Sequence, residues 1–357
     1  WPQARAAGAL ARRYFFASSG LLAVALLALW WATGETTVSG LASAVASPSS
    51  GLVLFAAGAL LLAAMVQSAL VPFHTWLLSS MTAPTPASAL MHAGFVNAGG
   101  ILLVRFAPVV TVESGFMLVV VVVGAVSALL GKLLKTVQTD IKGELGCSTV
   151  GQMGFMIMQA GLGFFAAAVT HLILHGFYKA YRFLGSGAQV THEGPAKTTS
   201  AGSTTFVGVA TIALTAIAGG GLFATLTGKG TKLDGGLLLM LLVVLTVLHA
   251  VRAFVSETAL SAGIRYGAVP LVALPAIVVY AAVYGAVEEM LAGLPAVGQP
   301  VELTAVHVVV AGAFVAAYLG IETGVHRASK RLYVTLLNAT QPASETLLTA
   351  TEDYNEY

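Results

Sequence analysis

Runs of about twenty apolar residues follow one another along the chain, and they constrain its fold more than any other feature. A run of that length is what an α-helix needs to cross the hydrocarbon core of a bilayer. Only 9% of the residues are charged and 57% are hydrophobic, whereas a soluble domain has about 25% charged residues. Because so few charges cannot cover a water-facing surface, the sequence predicts an all-α, polytopic membrane helix bundle.

The apolar runs predict about ten transmembrane spans within a membrane domain of residues 1–340. A polar C-terminal tail follows over residues 341–357, and we expect it to be loose or to lie on a partner. The predicted spans are 14–34, 51–71, 88–110, 116–137, 145–162, 164–188, 204–226, 236–256, 267–289 and 303–321.

Lysine and arginine lie mostly in the loops on one side of this arrangement. Cytoplasmic loops carry an excess of these residues, so the bias predicts a multi-pass protein of the cell inner membrane with both termini in the cytoplasm. The inside loops would hold thirteen of them: Arg5, Arg12, Arg13, Lys132, Lys135, Lys142, Arg182, Lys197, Arg252, Arg265, Arg327, Lys330 and Arg331. The outside loops would hold three: Arg105, Lys229 and Lys232.

Composition and motifs argue against several functional classes. The net charge of +2 is too small to indicate nucleic-acid binding. Cys147 is the single cysteine, which excludes an internal disulfide and a cysteine-based metal site. The sequence has no Walker loop, no GxGxxG after a strand and no HExxH, so we expect no cofactor and no catalytic site on this chain.

The stretch THLILHGFYKAYRFLGSG carries His171, His175 and Lys179 at four-residue intervals. This spacing places the three side chains on one face of a helix. Ionisable groups at membrane depth normally face the protein interior or a water-filled cavity, where burial favours neutral lysine and histidine titrates near neutral pH. The pattern predicts a proton relay. In the alternative interpretation, the histidines are packing residues and Lys179 extends to the membrane surface.

The stretch VPFHTWLLSSMTAPTPASALMHAGFVNAGGILLVRFAPV predicts a loop and then a helix with unusual contents. The prolines of the loop prevent a continuous helix, and Ser88 is expected to cap the next one. That helix carries His92, a candidate for the proton pathway, and the pair Gly99–Gly100. These glycines either interrupt the helix and free backbone groups for a cavity, or only permit close packing.

The stretch GKLLKTVQTDIKGELGCSTVGQMGF ends one span and begins the next. Lys132 and Lys135 lie near the inner end of a span and are candidates for a proton entry path. Asp140, Lys142 and Glu144 are close enough in sequence to pair in a solvated turn.

The later spans contain fewer ionisable residues. His249, near the inner end of the eighth span, is a candidate to continue the relay. His307 stands alone in the tenth span and is interpreted as a packing residue.

In this order, PFHTWL, APTPASALMHA, VQTDIK, ST and HLILHGFYKAYRFLGSG resemble the proton-conducting, antiporter-like membrane subunits of respiratory complex I and Mrp-type antiporters. The resemblance covers about residues 50–190. It implies discontinuous transmembrane helices, about five helices preceding residue 1, and a proton channel containing Lys179, His171 and His175. In QSAL, Gln67 stands where complex I subunits carry a lysine, and glutamine can orient water but cannot hold a charge.

Within that family, HAGFVNAGGILLVRFAPV and QMGFMIMQAGLGFF resemble the DabB-type membrane subunit of Dab inorganic-carbon transporters. The resemblance implies a DabA-like cytoplasmic partner, similar to β-carbonic anhydrases, that holds zinc. This chain would then conduct protons or Na⁺ as a coupling subunit, and the partner would convert CO2 to bicarbonate. Two alternatives stay open: a subunit of a complex I-like NADH:quinone oxidoreductase or Mrp-type cation/proton antiporter, and a purely structural membrane anchor.

Overall fold

The computed structural model describes residues 2–45, 51–189, 205–255 and 261–346. These residues form helices and turns, with one isolated antiparallel bridge between Asp234 and Glu302. The predicted all-α class is therefore confirmed. The chain divides into two compact units: a first unit of Trp1–Val190, Ala292–Gln299 and Gly320–Tyr357, and a second unit of Thr191–Leu291 and Pro300–Leu319.

The α-helices of the described residues are numbered here in chain order. The first ten are α1 (Pro2–Thr33), α2 (Val38–Ala44), α3 (Gly51–Gln67), α4 (Thr75–Ser79), α5 (Thr85–Ala93), α6 (Ala98–Arg105), α7 (Ala107–Val110), α8 (Ser114–Lys135), α9 (Ile141–Gly161) and α10 (Phe165–Leu184). The remaining six are α11 (Phe206–Thr227), α12 (Gly236–Val255), α13 (Val269–Leu291), α14 (Ala305–Glu322), α15 (Val325–Ala328) and α16 (Lys330–Ala339).

Each of the ten predicted apolar runs coincides with a described helix, or in one case with a broken helix. Among the described residues, six helical segments are long and apolar enough to cross a membrane: Pro2–Thr33, Thr85–Arg105, Ser114–Lys135, Phe206–Thr227, Tyr266–Leu291 and Ala305–Glu322. Two more, Gly51–Gln67 and Gly236–Arg252, are apolar but shorter. The chain is therefore a multi-pass membrane protein, and α10 falls outside this set because its polar stripe lowers its mean hydropathy.

Two helices near the N-terminus differ from the prediction. Helix α1 begins at Pro2 rather than at residue 14, because the preceding segment is rich in alanine, leucine and arginine, which favour helix, and proline suits a first helical position. Helix α2 was not predicted. Its N-cap is Thr37, whose hydroxyl accepts a hydrogen bond from the Gly40 N–H at 3.1 Å.

The C-terminal tail differs from the prediction where the structure describes it. The Ala343 N–H donates to Ser79 Oγ at 3.0 Å, and the Thr346 side chain is buried. Just before the tail, His74 Nε2 donates to the Ala339 carbonyl of α16 at 3.2 Å. Residues 341–346 are therefore not loose but lie on the first unit, whereas residues 347–357 lie outside the described residues.

The predicted orientation in the membrane stays a prediction. Of the basic residues on which it rests, Lys197 lies outside the described residues, as do the side chains of Arg265 and Arg327.

Glycines bring α8 and α9 into backbone contact. A Cβ atom built on Gly124 would lie 2.7 Å from the Gly154 carbonyl, and one on Gly161 would lie 2.7 Å from the Val121 nitrogen. Small residues allow helix backbones to approach in this way inside a membrane protein. The contact fixes α9, which carries part of the candidate site, against α8.

We expect Gly154→Ala to lower the thermal unfolding midpoint of the protein purified in detergent. The new methyl group would meet the backbone nitrogen of Ala128 and the Gly124 carbonyl, which cannot move aside as a flexible side chain could. Overpacking of this kind costs about 1–3 kcal/mol. The control is Gly115→Ala on α8, where nothing lies within 4 Å; equal midpoints for the two variants would contradict the prediction.

Candidate functional site

The polar stripe of α10, which consists of His171, His175 and Lys179, lies inside the first unit. Lys179 has an exposed fraction of 0%, His175 is buried and His171 is half-buried. The imidazole rings of His171 and His175 stack, with centroids 5.8 Å apart and an interplanar angle of 16°. The spacing therefore places these side chains on one face, as predicted, and Lys179 does not extend to the surface.

The ammonium nitrogen of Lys179 is held by a backbone carbonyl. Its Nζ donates to Leu145 O on α9 at 2.8 Å. Among the described residues, no carboxylate forms an ion pair with Lys179. A buried lysine without an acidic partner is costly in its charged form, so this position is suited to a group that gains and loses a proton.

His92 is joined to the same carbonyl through a hydroxyl group. His92 Nδ1 lies 2.9 Å from Thr149 Oγ1, and that hydroxyl donates to Leu145 O at 2.9 Å. The His92 ring is buried, and its centroid lies 4.5 Å from that of Phe183. One carbonyl of α9 thus connects a lysine of α10 with a histidine of α5.

The helix that carries His92 is interrupted, but not at the predicted glycines. Helix α5 ends at Ala93, Gly94 has a non-helical backbone, and a 3-10 turn over Phe95–Asn97 leads into α6. Ser68 Oγ donates to Val96 O at 2.6 Å, and Asn97 Nδ2 donates to Ala93 O at 2.6 Å. Side chains therefore satisfy two carbonyls at the break.

Gly99 and Gly100 act instead as packing points. A Cβ on Gly99 would lie 2.6 Å from the Ala64 carbonyl, and one on Gly100 would lie 2.7 Å from Met156 Cε. The two interpretations left open by the sequence therefore apply to different glycines of the same stretch.

The expected cap at Ser88 is wrong. Helix α5 begins three residues earlier, at Thr85, with Pro84 as its N-cap. The Ser88 hydroxyl donates to the Ala83 carbonyl at 3.4 Å. The helix starts early because the second proline of the loop, Pro86, fits the first turn, where its missing N–H removes no intrahelical bond.

Several buried polar atoms around the stripe have no hydrogen-bond partner among the described residues. Buried polar groups are normally satisfied by protein or by water, so these atoms favour a hydrated site. The break and the stripe are adjacent, since a Cβ on Gly176 would lie 3.0 Å from the Ala93 carbonyl. The atoms are His92 Nε2, Asn97 Oδ1, His171 Nε2, and both ring nitrogens of His175.

The acidic and basic residues of the α8–α9 turn do not pair as expected. Glu144 forms its ion pair with Lys135, at 3.0 Å, and both side chains are partly exposed. Asp140 caps α9 by accepting from the Gly143 N–H at 2.7 Å. The Lys142 side chain extends instead to the loop before α5, where its Nζ donates to the backbone carbonyl of Ala83 at 2.7 Å.

Lys132 is half-buried near the end of α8, within electrostatic reach of Lys135, Glu144 and Glu322. These neighbours place Lys132 close to the charged turn between α8 and α9. The entry roles of Lys132 and Lys135 stay predictions.

The two histidines of the second unit differ in their surroundings. His307 is buried, and its Nδ1 accepts from the Thr304 N–H at 3.1 Å, so it caps the start of α14, in line with a structural role. His249 lies half-buried on α12. Its part in the relay stays a prediction.

Sequence reasoning missed two residues of this site. In the sequence, Thr149 stands out only as part of the ST motif, and Ser68 only as part of QSAL. The one available signal for Thr149 was its position four residues after Leu145, where a threonine hydroxyl can bond back to a helical carbonyl. That the same carbonyl would also accept from Lys179 depends on the packing of α10.

Comparison with known proteins gives a consistent group of matches. Residues 1–204 match the family described as NADH:quinone oxidoreductase/Mrp antiporter, TM. The probable inorganic carbon transporter subunit DabB1 of Halothiobacillus neapolitanus is 54% identical over 132 residues, which is 37% of this chain and 23% of that protein. The probable inorganic carbon transporter subunit DabB of Bacillus subtilis is 38% identical over 247 residues, 67% of this chain and 48% of that protein.

Other matches lie elsewhere in the family. NADH-quinone oxidoreductase subunit L of Mycobacterium tuberculosis is 40% identical over 172 residues, 47% of this chain and 27% of that protein. A solved structure of the Mrp complex from Dietzia sp. aligns with a TM-score of 0.51 and 21% identity, covering 99% of this chain and 38% of that one. The alignment with the Mrp complex shows that the two chains share a fold. The chain spans about half or less of the length of these relatives.

Ser68→Ala should lower the thermal unfolding midpoint in detergent, because it leaves the Val96 carbonyl at the helix break without its donor. An unsatisfied buried polar group costs about 1–3 kcal/mol. Ser39→Ala is the matched control, since Ser39 is exposed and its hydroxyl makes only a 3.4 Å contact with Thr37. If both variants unfold at the wild-type midpoint, Ser68 does not support the break.

Proposed function

Because the chain belongs to the NADH:quinone oxidoreductase/Mrp antiporter transmembrane family, we propose that it conducts protons across the membrane as a subunit of an inorganic-carbon accumulating complex. The observation that carries this proposal is the buried Lys179, bound to the Leu145 carbonyl beside histidine nitrogens that have no partner among the described residues. A row of titratable groups in a hydrated interior is what proton transfer through a membrane requires.

The proposed chemistry needs only small movements. Neutral Lys179 can keep one N–H on the Leu145 carbonyl while its lone pair accepts a proton from water, and the ammonium keeps the same bond. His171 and His175 each offer a ring nitrogen for the same exchange. In this scheme protons enter through water near His92, pass the α10 stripe and leave toward the cytoplasmic partner.

The inorganic-carbon part of the proposal is supported by the two DabB relatives, whose printed names describe probable inorganic carbon transporter subunits. In this division of labour, ion flow through the membrane subunit drives one-way conversion of CO2 to bicarbonate elsewhere. The zinc chemistry would lie on a DabA-like cytoplasmic partner similar to β-carbonic anhydrases. This chain would supply the coupling ion, H⁺ or Na⁺, and no catalytic group.

A second candidate function keeps the same site but changes the assembly. The 40% identity to subunit L of an NADH-quinone oxidoreductase and the fold shared with an Mrp complex favour a cation-translocating subunit of one of those complexes. The third hypothesis is a structural membrane anchor that does not conduct ions. Gln67 supports it, because glutamine cannot hold a charge. The two experiments below separate these readings.

We expect Lys179→Met to abolish proton conduction while leaving the protein folded. Methionine has a similar length and no charge, so it removes the cost of a buried unpaired cation, and the Leu145 carbonyl keeps the Thr149 hydroxyl as a donor. Conduction is measured as dye-reported proton flux into proteoliposomes containing the purified complex, with the unfolding midpoint measured in parallel.

The control for that experiment is Lys229→Met in the second unit. Lys229 pairs with Glu288 at 3.3 Å and lies outside the proposed pathway, so its loss should leave the flux unchanged. Wild-type flux in Lys179→Met would instead contradict a role of Lys179 in conduction and would favour the structural-anchor hypothesis.

Affinity purification from mild-detergent membranes tests the partner. We expect mass spectrometry to find a large protein similar to β-carbonic anhydrases, together with zinc in the purified complex. Lys179→Met should retain this partner, because the lysine is buried and does not reach the surface. Co-purification of quinone-oxidoreductase or antiporter subunits without zinc would place the chain in the second assembly.

A further inference from the structure

The hydroxyl of Thr149 has a single hydrogen, and its two contacts determine where that hydrogen lies. Thr149 Oγ1 is 2.9 Å from Leu145 O and 2.9 Å from His92 Nδ1. A carbonyl oxygen can only accept, so the hydroxyl must donate to Leu145. If it donated to His92 instead, two oxygen lone pairs would face each other at hydrogen-bond distance. Thr149 therefore accepts, and His92 Nδ1 carries a proton.

This assignment determines the state of the other ring nitrogen. A neutral imidazole has one N–H, and here it is used on Nδ1. His92 Nε2 then carries a lone pair and no hydrogen, and this nitrogen is buried with no hydrogen-bond partner among the described residues. Its ring lies within electrostatic reach of His175 and Lys179. Nε2 is thus the position at which this ring can take up a proton and return it.

The connection from His92 through Thr149 to Lys179 is not itself a route for protons. The amide carbonyl of Leu145, which accepts from both Thr149 and Lys179, has no proton to pass on. A proton leaving His92 Nδ1 would therefore reach the Thr149 hydroxyl. That hydroxyl donates its own hydrogen to the Leu145 carbonyl, which cannot pass a proton on. The contacts hold the two titratable groups in place, and proton exchange between them must use Nε2 and water.

We propose that Thr149 is a positioning residue that locks His92 in the Nδ1–H tautomer and directs proton exchange of the ring to Nε2. The tautomer assignment follows from the geometry above. Its consequence for conduction rests on the proposed function, so the test measures the two separately.

The variants are Thr149→Val, which keeps the shape but removes the hydroxyl, and Thr149→Ser, which keeps the hydroxyl. In proteoliposomes with the purified complex, we expect Thr149→Val to reduce proton flux about tenfold, the rate equivalent of one lost buried hydrogen bond. Thr149→Ser should restore flux to near the wild-type value. Equal flux in Thr149→Val and wild type would overturn the role in conduction.

The tautomer is read by nitrogen-15 NMR of the complex with labelled histidine. The chain has eight histidines, so the His92 signals are assigned as those missing from His92→Gln. We expect a protonated Nδ1 and an unprotonated Nε2 in wild type and Thr149→Ser, and a shift toward the Nε2–H form in Thr149→Val. A wild-type His92 protonated on Nε2 would overturn the proposal without reference to any variant.

The two readouts separate this inference from the proposed function. A wild-type complex that conducts no protons but shows the Nδ1–H tautomer overturns the proposed function and supports the lock. A conducting complex whose His92 tautomer is the same in wild type and Thr149→Val overturns the lock and leaves the proposed function standing.

Discussion

The hydrogen bond from Lys179 to the Leu145 carbonyl is the contact on which the site depends. A buried amine without an acidic partner needs a fixed acceptor, and here a helical backbone provides it at 2.8 Å. That carbonyl is held in place by its helix, because Asp140 caps the start of α9 and glycines bring α9 against α8. The close packing of α9 against α8 thus fixes the carbonyl that binds the buried Lys179.

The polar groups of the site fall into two classes. Backbone carbonyls at the break of the α5–α6 segment are satisfied by Ser68 and Asn97. The atoms of the site that have no hydrogen-bond partner among the described residues are Asn97 Oδ1 and ring nitrogens of three titratable side chains, His92, His171 and His175. A merely structural break would leave no such concentration, since buried polar groups are normally paired. The distribution favours water around side chains that are able to exchange protons.

Sequence reasoning located the α10 stripe and failed where tertiary contacts decide. A four-residue spacing fixes a helical face, so the positions of His175 and Lys179 followed from periodicity alone. Which glycine breaks the helix did not follow: Gly99 packs on the Ala64 carbonyl and stays helical, whereas Gly94 breaks. The Leu145 carbonyl had no sequence signal, because every residue has a carbonyl and only packing selects one.

Helices α3 and α10 contribute differently to the site: the residue that follows α3 supports the helix break, and α10 carries the titratable side chains. Helix α3 ends at Gln67, a neutral amide where the resembling complex I subunits carry a lysine, and the next residue, Ser68, satisfies the break. In the proposed function the charge that can move is on Lys179 of α10, and His92 lies on α5, two residues before the break. A neutral residue at position 67 cannot repel a protonated lysine, whereas a second cation close to Lys179 would disfavour protonation of that lysine. Under the proposed function, proton exchange would thus depend on Lys179 and the histidines, and Ser68 would support the helix break beside them.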